Sequence, residues 1–224
     1  MSPTLQSGLL LVINISAEHW FYQLSQSSQD KITALTLTKS YSLGQYIHHA
    51  SDTAKHLYFI NKGVVRISKV SEKGKELILK DLQENEWFGF IGCFGLGIRP
   101  NDAVALEDTQ LSQISLSEFI TLANTEPDLW PAVIKQMAHY VEHYYSTIEG
   151  IVFDTLFDRT KAMLCQLCSW QDSSTLVISH KDLASLLGVT KEAVGLQLNS
   201  LQSQGLILLG YKNIKVLQPL LEPL

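Results

Sequence analysis

The residues with the clearest chemical role lie near the C-terminus, between Ser179 and Leu201. Ser179 and Thr190 are residue types that cap helices, and Gly188 suits a turn that requires a positive φ. Lysine, glutamate and asparagine side chains on a second helix can reach phosphates and base edges. This order of residues predicts a helix-turn-helix that binds DNA. The expected DNA contacts are Ser179, His180, Lys181, Thr190, Lys191, Glu192, Gly195, Leu196 and Asn199.

Two of these side chains have distinct expected roles. Glu192 can accept a hydrogen bond from a cytosine amino group, and Lys181 can contact a phosphate.

Two apolar segments, 205–209 and 213–217, follow the helices and predict a two-stranded wing. The alternative is an αα-hairpin with a structural role, but the agreement of caps, turn and wing favours a winged helix-turn-helix.

Other clusters of reactive side chains are interpreted as structural. Cys165 and Cys168 form a C-x-x-C pair in a leucine-rich helix, which favours buried thiols over a redox or iron–sulfur site. His139 and His143 have metal-ligand spacing, but no third ligand is evident, so we expect no metal site. Haem is not supported either. Because no nucleophile–base motif or catalytic carboxylate pair is found, an enzyme is not expected.

The elements that must position these sites are organised around a long predicted helix, Asp128 to Val152. Apolar residues recur there at alternating steps of four and three, the spacing of a helix that packs along a second helix. Because this stripe is narrow, we interpret it as a dimer seam, and the alternative is a helix lying on its own domain. The expected seam residues are Trp130, Ile134, Met137, Val141, Tyr144, Ile148 and Ile151.

The part of the chain before the long helix has the pattern of short β-strands. Apolar and polar residues alternate from about Lys31 to Thr38, and short β-rich segments with turns between them continue to Ile114. This spacing predicts a sandwich, jelly roll or barrel. The segment Gly89 to Gly97 has four glycines in nine residues. Such a loop can approach a phosphate closely, although a plain tight loop has the same composition.

Composition is that of a globular protein with two modest domains. The 224 residues are 46% hydrophobic and 17% charged, and the net charge is −5, so no overall basic field attracts nucleic acid. Residues 153–224 contribute no net charge, with 6 basic and 6 acidic residues. Three cysteines suit a reducing compartment, and we recognise neither a signal peptide nor a membrane span. We therefore expect a cytoplasmic protein.

Several motifs, taken in order, resemble the Crp/Fnr transcription regulators. The resemblance extends from about Tyr41 to the C-terminus, and its motifs are Leu57–Gly63, Gly74–Glu76, Trp87–Gly89 with Phe94, and Thr190–Gly195. It implies an α+β fold. The implied parts are an N-terminal double-stranded β-helix, jelly-roll-like and similar to cyclic-nucleotide-binding sensor domains (1–127), a dimerisation helix (128–152) and a C-terminal winged helix-turn-helix (153–224).

The resemblance also implies an effector pocket at the glycine-rich loop, but the ligand residues depart from the cyclic-AMP pattern. Phe90 replaces the glutamate that holds the ribose, and Asn101–Asp102 stand where an arginine would pair with the phosphate. Arg99 would reach the pocket only if the loop were wound differently. We therefore expect an effector other than cyclic AMP. The expected pocket residues are Gly89, Phe90, Ile91, Gly92, Cys93, Arg99, Asn101, Asp102, Tyr144 and Tyr145.

These expectations describe a homodimeric regulator that binds a near-palindromic double-stranded DNA site. An unidentified small-molecule effector and RNA polymerase are further expected partners, and a membrane is not. Two alternatives stay open: a regulator that binds DNA constitutively and has a vestigial pocket, and an effector-binding module that acts through protein contacts. If DNA binding depends on an effector, the first alternative is excluded. A palindromic footprint excludes the second alternative.

Overall fold

The computed structural model describes residues 20–217, apart from the side chain of Trp170. Within this range the chain divides into two compact units. One unit contains residues 20–69 and 80–146, and the other contains residues 70–79 and 147–217. The tip of one β-hairpin therefore belongs to the same unit as the C-terminal elements.

Among residues 20–115, eight strands form a β-roll of two four-stranded sheets. The strands are β1 (Leu37–Tyr41), β2 (Tyr46–His48), β3 (His56–Lys62), β4 (Val65–Val70), β5 (Glu76–Leu82), β6 (Trp87–Phe88), β7 (Asp102–Ala105) and β8 (Thr109–Ser115). Their order is β1-β8-β3-β6 in one sheet and β2-β7-β4-β5 in the other. Buried residues from both sheets, including Tyr58, Val65, Ala103 and Leu111, share one core. The predicted jelly-roll-like fold is thus confirmed.

A short 3₁₀ helix (Trp20–Gln23) precedes the roll, and four α-helices among residues 24–153 share a second core with it. They are α1 (Gln26–Ala34), α2 (Phe90–Phe94), α3 (Leu116–Ala123) and the long α4 (Leu129–Phe153). An aromatic cluster lies in this core, where Trp20 makes edge-to-face contacts with Trp87, Phe90 and Phe119. The start of α4 is anchored here, because Leu129 and Val133 are buried in the same cluster.

The strand predicted from about Lys31 is wrong in its first half, because these residues belong to helix α1 and β1 begins only at Leu37. Ser25 caps the helix by accepting a hydrogen bond from the Ser28 N–H at 3.2 Å. The Ser28 hydroxyl donates to Asp128 Oδ1 at 2.8 Å, which ties α1 to the start of the long helix. Ile32 is fully buried, so core packing prevails over the local alternation.

The C-terminal part confirms the predicted winged helix-turn-helix. Its elements are α5 (Leu156–Gln171), β9 (Thr175–Leu176), α6 (His180–Leu187), α7 (Lys191–Ser203), β10 (Ile207–Gly210) and β11 (Asn213–Val216). The wing hairpin β10–β11 gains β9 as a third strand, in the order β10-β11-β9. Leu176, Ile207 and Ile214 bury one face of this sheet, which fixes the wing beside the helices.

Candidate DNA interface and effector pocket

Both helices of the helix-turn-helix begin at capped residues. Ser179 Oγ accepts a hydrogen bond from the Asp182 backbone N–H at 3.1 Å, and Thr190 Oγ1 accepts from the Ala193 N–H at 3.2 Å. Between the helices, Gly188 has a φ of 67°, a conformation that favours glycine. Local backbone geometry therefore determines where α6 ends and where α7 begins.

Three buried side chains determine which face of α7 is presented to solvent. Val194, Leu198 and Leu201 are fully buried and follow each other at steps of four and three along the helix. The residues between them are available for contact with a ligand. Of the predicted DNA contacts, Lys181, Thr190, Lys191, Glu192, Leu196 and Asn199 are exposed, and Ser179, His180 and Gly195 are partly buried.

Two cationic side chains that the sequence reasoning missed bind the carbonyl groups of the turn. Arg159 of α5 donates from Nη2 to the Leu187 oxygen at 2.7 Å. Lys75, at the tip of the β4–β5 hairpin, donates to the Gly188 oxygen, and it belongs to the same compact unit. Because both residues are distant from the turn in sequence, no local pattern predicts these contacts.

Replacing Arg159 with alanine is expected to lower the free energy of unfolding by about 1–3 kcal/mol, because the Leu187 carbonyl loses a charged donor. Arg159→Lys keeps a cation there and should recover part of the loss. Urea unfolding followed by circular dichroism measures the difference. Equal stability of Arg159→Ala and the unsubstituted protein would show that this bond does not stabilise the turn.

The long helix α4 has a covered first part and an exposed second part. Trp130 and Met137 of the predicted seam pack against the core of their own roll, and the Trp130 indole N–H donates to Asn124 Oδ1 at 3.1 Å. The other predicted seam residues, Ile134, Val141, Tyr144, Ile148 and Ile151, are exposed in the single chain. A continuous helix that exposes so many large apolar residues indicates a surface that another surface covers.

In the glycine-rich loop, the backbone conformation and the close neighbours of Gly89 leave no room for a side chain. Its φ is 100°, and a Cβ there would lie 2.9 Å from Arg99 Nη1 and 3.0 Å from the His56 carbonyl oxygen. The next residue, Phe90, is 1% exposed and packs on Trp20, with ring centroids 5.3 Å apart. The Phe90 ring therefore belongs to the aromatic core, and the sequence pattern misplaced it at the pocket surface because its neighbours in space were not visible.

Arg99 lies inside the roll, two residues before the position where the family resemblance would place an arginine. Its backbone N–H donates to the Asp52 oxygen at 2.7 Å, and its carbonyl accepts from the Ser51 N–H at 2.8 Å. These bonds wind the loop so that the guanidinium reaches the carbonyl oxygens of His56 and Gly89, at 2.6 and 3.1 Å. The side chain is 2% exposed.

The carboxylate of Asp102 forms a hydrogen bond with a neighbouring loop. Its Oδ1 accepts a hydrogen bond from the Ala50 N–H at 2.9 Å and lies 3.5 Å from His49 Nδ1. Asp102 therefore ties the start of β7 to the 49–50 segment. Of the remaining predicted pocket residues, Gly92 and Cys93 are buried, Ile91 and Asn101 are partly buried, and Tyr144 and Tyr145 are exposed on α4.

The cysteines have the character of packed thiols. Burial raises the pKa of the Cys168 thiol to about 11, and the neighbouring Cys165 adds to this rise. Burial also raises the pKa of Cys93, although the nearby Arg99 charge opposes it.

Residues 20–217 contain no group of three His, Cys, Asp or Glu side chains that could hold a metal. None of the helices in this range is long and apolar enough to cross a membrane.

Comparison with known families identifies both halves of the chain. Residues 38–126 match the family model described as the cyclic nucleotide-binding domain. Residues 158–220 match the model described as the Crp-like helix-turn-helix domain. The two matches coincide with the roll and with the winged helix-turn-helix derived above.

Curated relatives and solved structures agree with these matches. The cAMP-activated global transcriptional regulator CRP of Pasteurella multocida is 27% identical over 175 residues, which cover 75% of this chain and 84% of that protein. The cAMP-activated regulator Vfr of Pseudomonas aeruginosa is 26% identical over 188 residues, or 80% and 88% of the two chains. The c-di-GMP responsive global regulator CLP of Xanthomonas campestris shares the fold, with a TM-score of 0.75 at 22% identity over 86% and 99% of the chains.

Proposed function

Because this chain belongs to the Crp/Fnr family of transcription regulators, we propose that it acts as a cytoplasmic homodimer that reads a near-palindromic DNA site and responds to a small effector. Its Crp-like helix-turn-helix binds double-stranded DNA, and it is not an enzyme. RNA polymerase is a further proposed partner.

The observation that carries the DNA-reading proposal is the polar, solvent-facing side of α7. Lys191, Glu192 and Asn199 are exposed on a helix whose opposite side is fully buried. Thr190 caps its N-terminus, so the first residues of α7 have a defined geometry. The N-terminal residues of a recognition helix are those that reach base edges in the major groove. Glu192 is therefore the proposed reader of a cytosine amino group.

The apolar face of α4 supports the homodimer. A second copy of the same helix would cover Val141 and Ile148 and place two recognition helices about a two-fold axis. Two helices related in this way meet DNA half-sites about 34 Å apart. Footprinting on a selected DNA fragment at physiological salt is expected to show two protected half-sites. Protection of only one half-site would contradict the proposal that a homodimer binds the DNA.

The β4–β5 hairpin supports a mechanism in which the roll influences the DNA-reading turn. Lys75 at the hairpin tip donates to the Gly188 carbonyl, and β5 continues from that tip into a sheet of the roll. An effector that favours one arrangement of the roll would then shift the population of helix-turn-helix placements. The free energy of this population shift cannot exceed the difference between the effector's binding free energies for the two arrangements.

Cyclic AMP is not the proposed effector, because Phe90 stands at the position of the ribose-binding glutamate and its ring packs in the aromatic core, so this position offers no acceptor for the ribose hydroxyl. Calorimetry with cyclic AMP at millimolar concentration is expected to show no saturable binding. Micromolar binding that Arg99→Ala abolishes would contradict this prediction. It would mean that the buried Arg99 acts as the phosphate ligand.

A constitutive regulator is the second candidate function, and the self-contacts of Arg99 favour it. The guanidinium donates to two carbonyl oxygens of its own chain, at Gly89 and His56, as expected if the pocket were closed from within. The protein stripped of small molecules by dialysis would then bind its selected DNA with full affinity. If the low-molecular-mass fraction of a cell extract raised the affinity for this DNA, the constitutive alternative would be excluded.

A further inference from the structure

Among residues 191–203, which form helix α7, one large apolar side chain faces solvent. Leu196 is 68% exposed, whereas the valine and the two other leucines of this helix are fully buried. Glu192 and Asn199, which share the face of Leu196, are polar and exposed. A single exposed leucine is common on protein surfaces, so its position and its surroundings decide whether it has a role.

Leu196 lies near the centre of the face that points away from the core. A helix turns about 100° per residue, which places Leu196 about 140–160° around the axis from each of the three buried residues. Glu192 and Asn199 lie within about 60° of it on the same face. Because Glu192 is the proposed base reader, Leu196 follows one turn later on the surface that would face the major groove.

The middle of this face has no cationic side chain. Lys191 is the only basic residue among residues 191–203, and it is the first residue of the helix. The commonest specific contact in the major groove, from arginine or lysine to guanine, is therefore not available beyond the first turn. Leucine forms no side-chain hydrogen bonds, so Leu196 gains free energy only by covering another apolar group. In the major groove that group is the C5-methyl of thymine.

The residue before Leu196 leaves the neighbouring surface open. A Cβ built on Gly195 would have no atom within 4 Å, so packing inside the protein does not require glycine at this position. Glycine in the interior of a helix destabilises it relative to alanine. The absent side chain gives a base edge room to approach the helix beside Leu196.

We propose that Leu196 determines part of the DNA specificity by packing against the C5-methyl group of one thymine in each half-site. This inference rests on the proposed function, because it requires α7 to lie in the major groove. Four residues of helix rise about 6 Å, and successive bases are about 3.4 Å apart. The thymine is therefore expected about two base pairs from the pair that Glu192 contacts.

The test uses the full-length protein and the DNA site that it selects from a random pool. Each thymine of the site is replaced in turn by deoxyuridine, which lacks the methyl group and keeps the base pair. Affinity is measured by fluorescence anisotropy at constant salt. At one thymine in each half-site, loss of the methyl should weaken binding about fourfold, and loss of both should weaken it about fifteenfold.

Three variants assign this methyl dependence to a side chain. Leu196→Ala should bind the thymine and deoxyuridine sites equally, because no side chain then reaches the methyl group. Leu196→Met keeps an apolar side chain of similar volume and should retain most of the dependence. Leu208→Ala is the matched control, since it makes the same truncation at an exposed leucine of the wing and should leave the dependence unchanged.

The outcomes separate this contact from the DNA-reading function. The role of Leu196 would be overturned by a symmetric consensus without thymine in its half-sites, or by one whose affinity no deoxyuridine replacement changes. Equal methyl dependence in Leu196→Ala and the unsubstituted protein would overturn it as well. Each of these results leaves the proposed function standing, because the consensus itself is present. Absence of any consensus would instead contradict both the proposed function and the contact of Leu196 with thymine.

Discussion

Val141→Asp and Ile148→Glu are each expected to convert the proposed dimer into a monomer. The two residues occupy equivalent positions seven residues apart on α4, and they are 51% and 58% exposed in the single chain. A second protomer would bury each introduced carboxylate without a partner, once in each chain of the dimer. Such burial costs several kcal/mol, and each step of about 1.4 kcal/mol weakens association tenfold.

Sedimentation velocity over a range of protein concentrations measures the effect. Because both positions are exposed in the chain itself, the variants should keep their circular dichroism spectra and change only their sedimentation. Ser146→Asp is the matched control, since it adds the same charge to an exposed position of the same helix off the apolar stripe. If both stripe variants remained dimeric with unchanged affinity, the seam would be assigned to the wrong face.

Glu192→Ala is expected to relax the DNA preference at one symmetric base pair by about 1–3 kcal/mol, the usual contribution of a direct base contact. Glu192 is exposed in the first turn of α7, two residues after the capping residue Thr190. Because the substitution removes a negative charge from this surface, we also expect a higher affinity for unrelated sequences. Competition between the preferred site and single-base variants, measured by fluorescence anisotropy, gives the change at each position.

Lys181→Ala provides the contrast, because Lys181 is the proposed phosphate contact. Its side chain is exposed in the first turn of α6. The variant should weaken binding to all sequences alike and reduce the salt dependence of the affinity by about one unit of logarithmic slope per protomer contact. A change of consensus in Lys181→Ala would instead identify it as a base reader.

Elements defined by local signals could be predicted from the sequence. The helix-turn-helix follows from caps and a turn glycine within about twenty residues, and Ser179, Gly188 and Thr190 act as expected. The long helix follows from its heptad spacing, and the observed bounds, Leu129–Phe153, agree with the prediction to within a residue. In both cases the residues that determine the element are its own neighbours along the chain.

Features that depend on distant residues could not be predicted in the same way. Helix α1 buries Ile32 in the core, and its Ser28 bonds to Asp128, one hundred positions later. The inward position of Arg99 depends on bonds between its loop and the 51–52 segment. The contact of Lys75 with the Gly188 carbonyl joins residues 113 positions apart. Periodicity and capping carry no information on such pairs, since they describe only residues that are close in sequence.

Selection of binding sites from a random DNA pool tests the central claim most directly. The full-length protein is incubated with the pool at physiological salt, and the bound DNA is sequenced over successive rounds. A two-fold symmetric consensus with half-site centres about 34 Å apart is expected, and Glu192→Ala should lose preference at one base pair in each half. An asymmetric consensus, no consensus, or an unchanged consensus in Glu192→Ala would contradict the assignment of α7 as the reader of DNA.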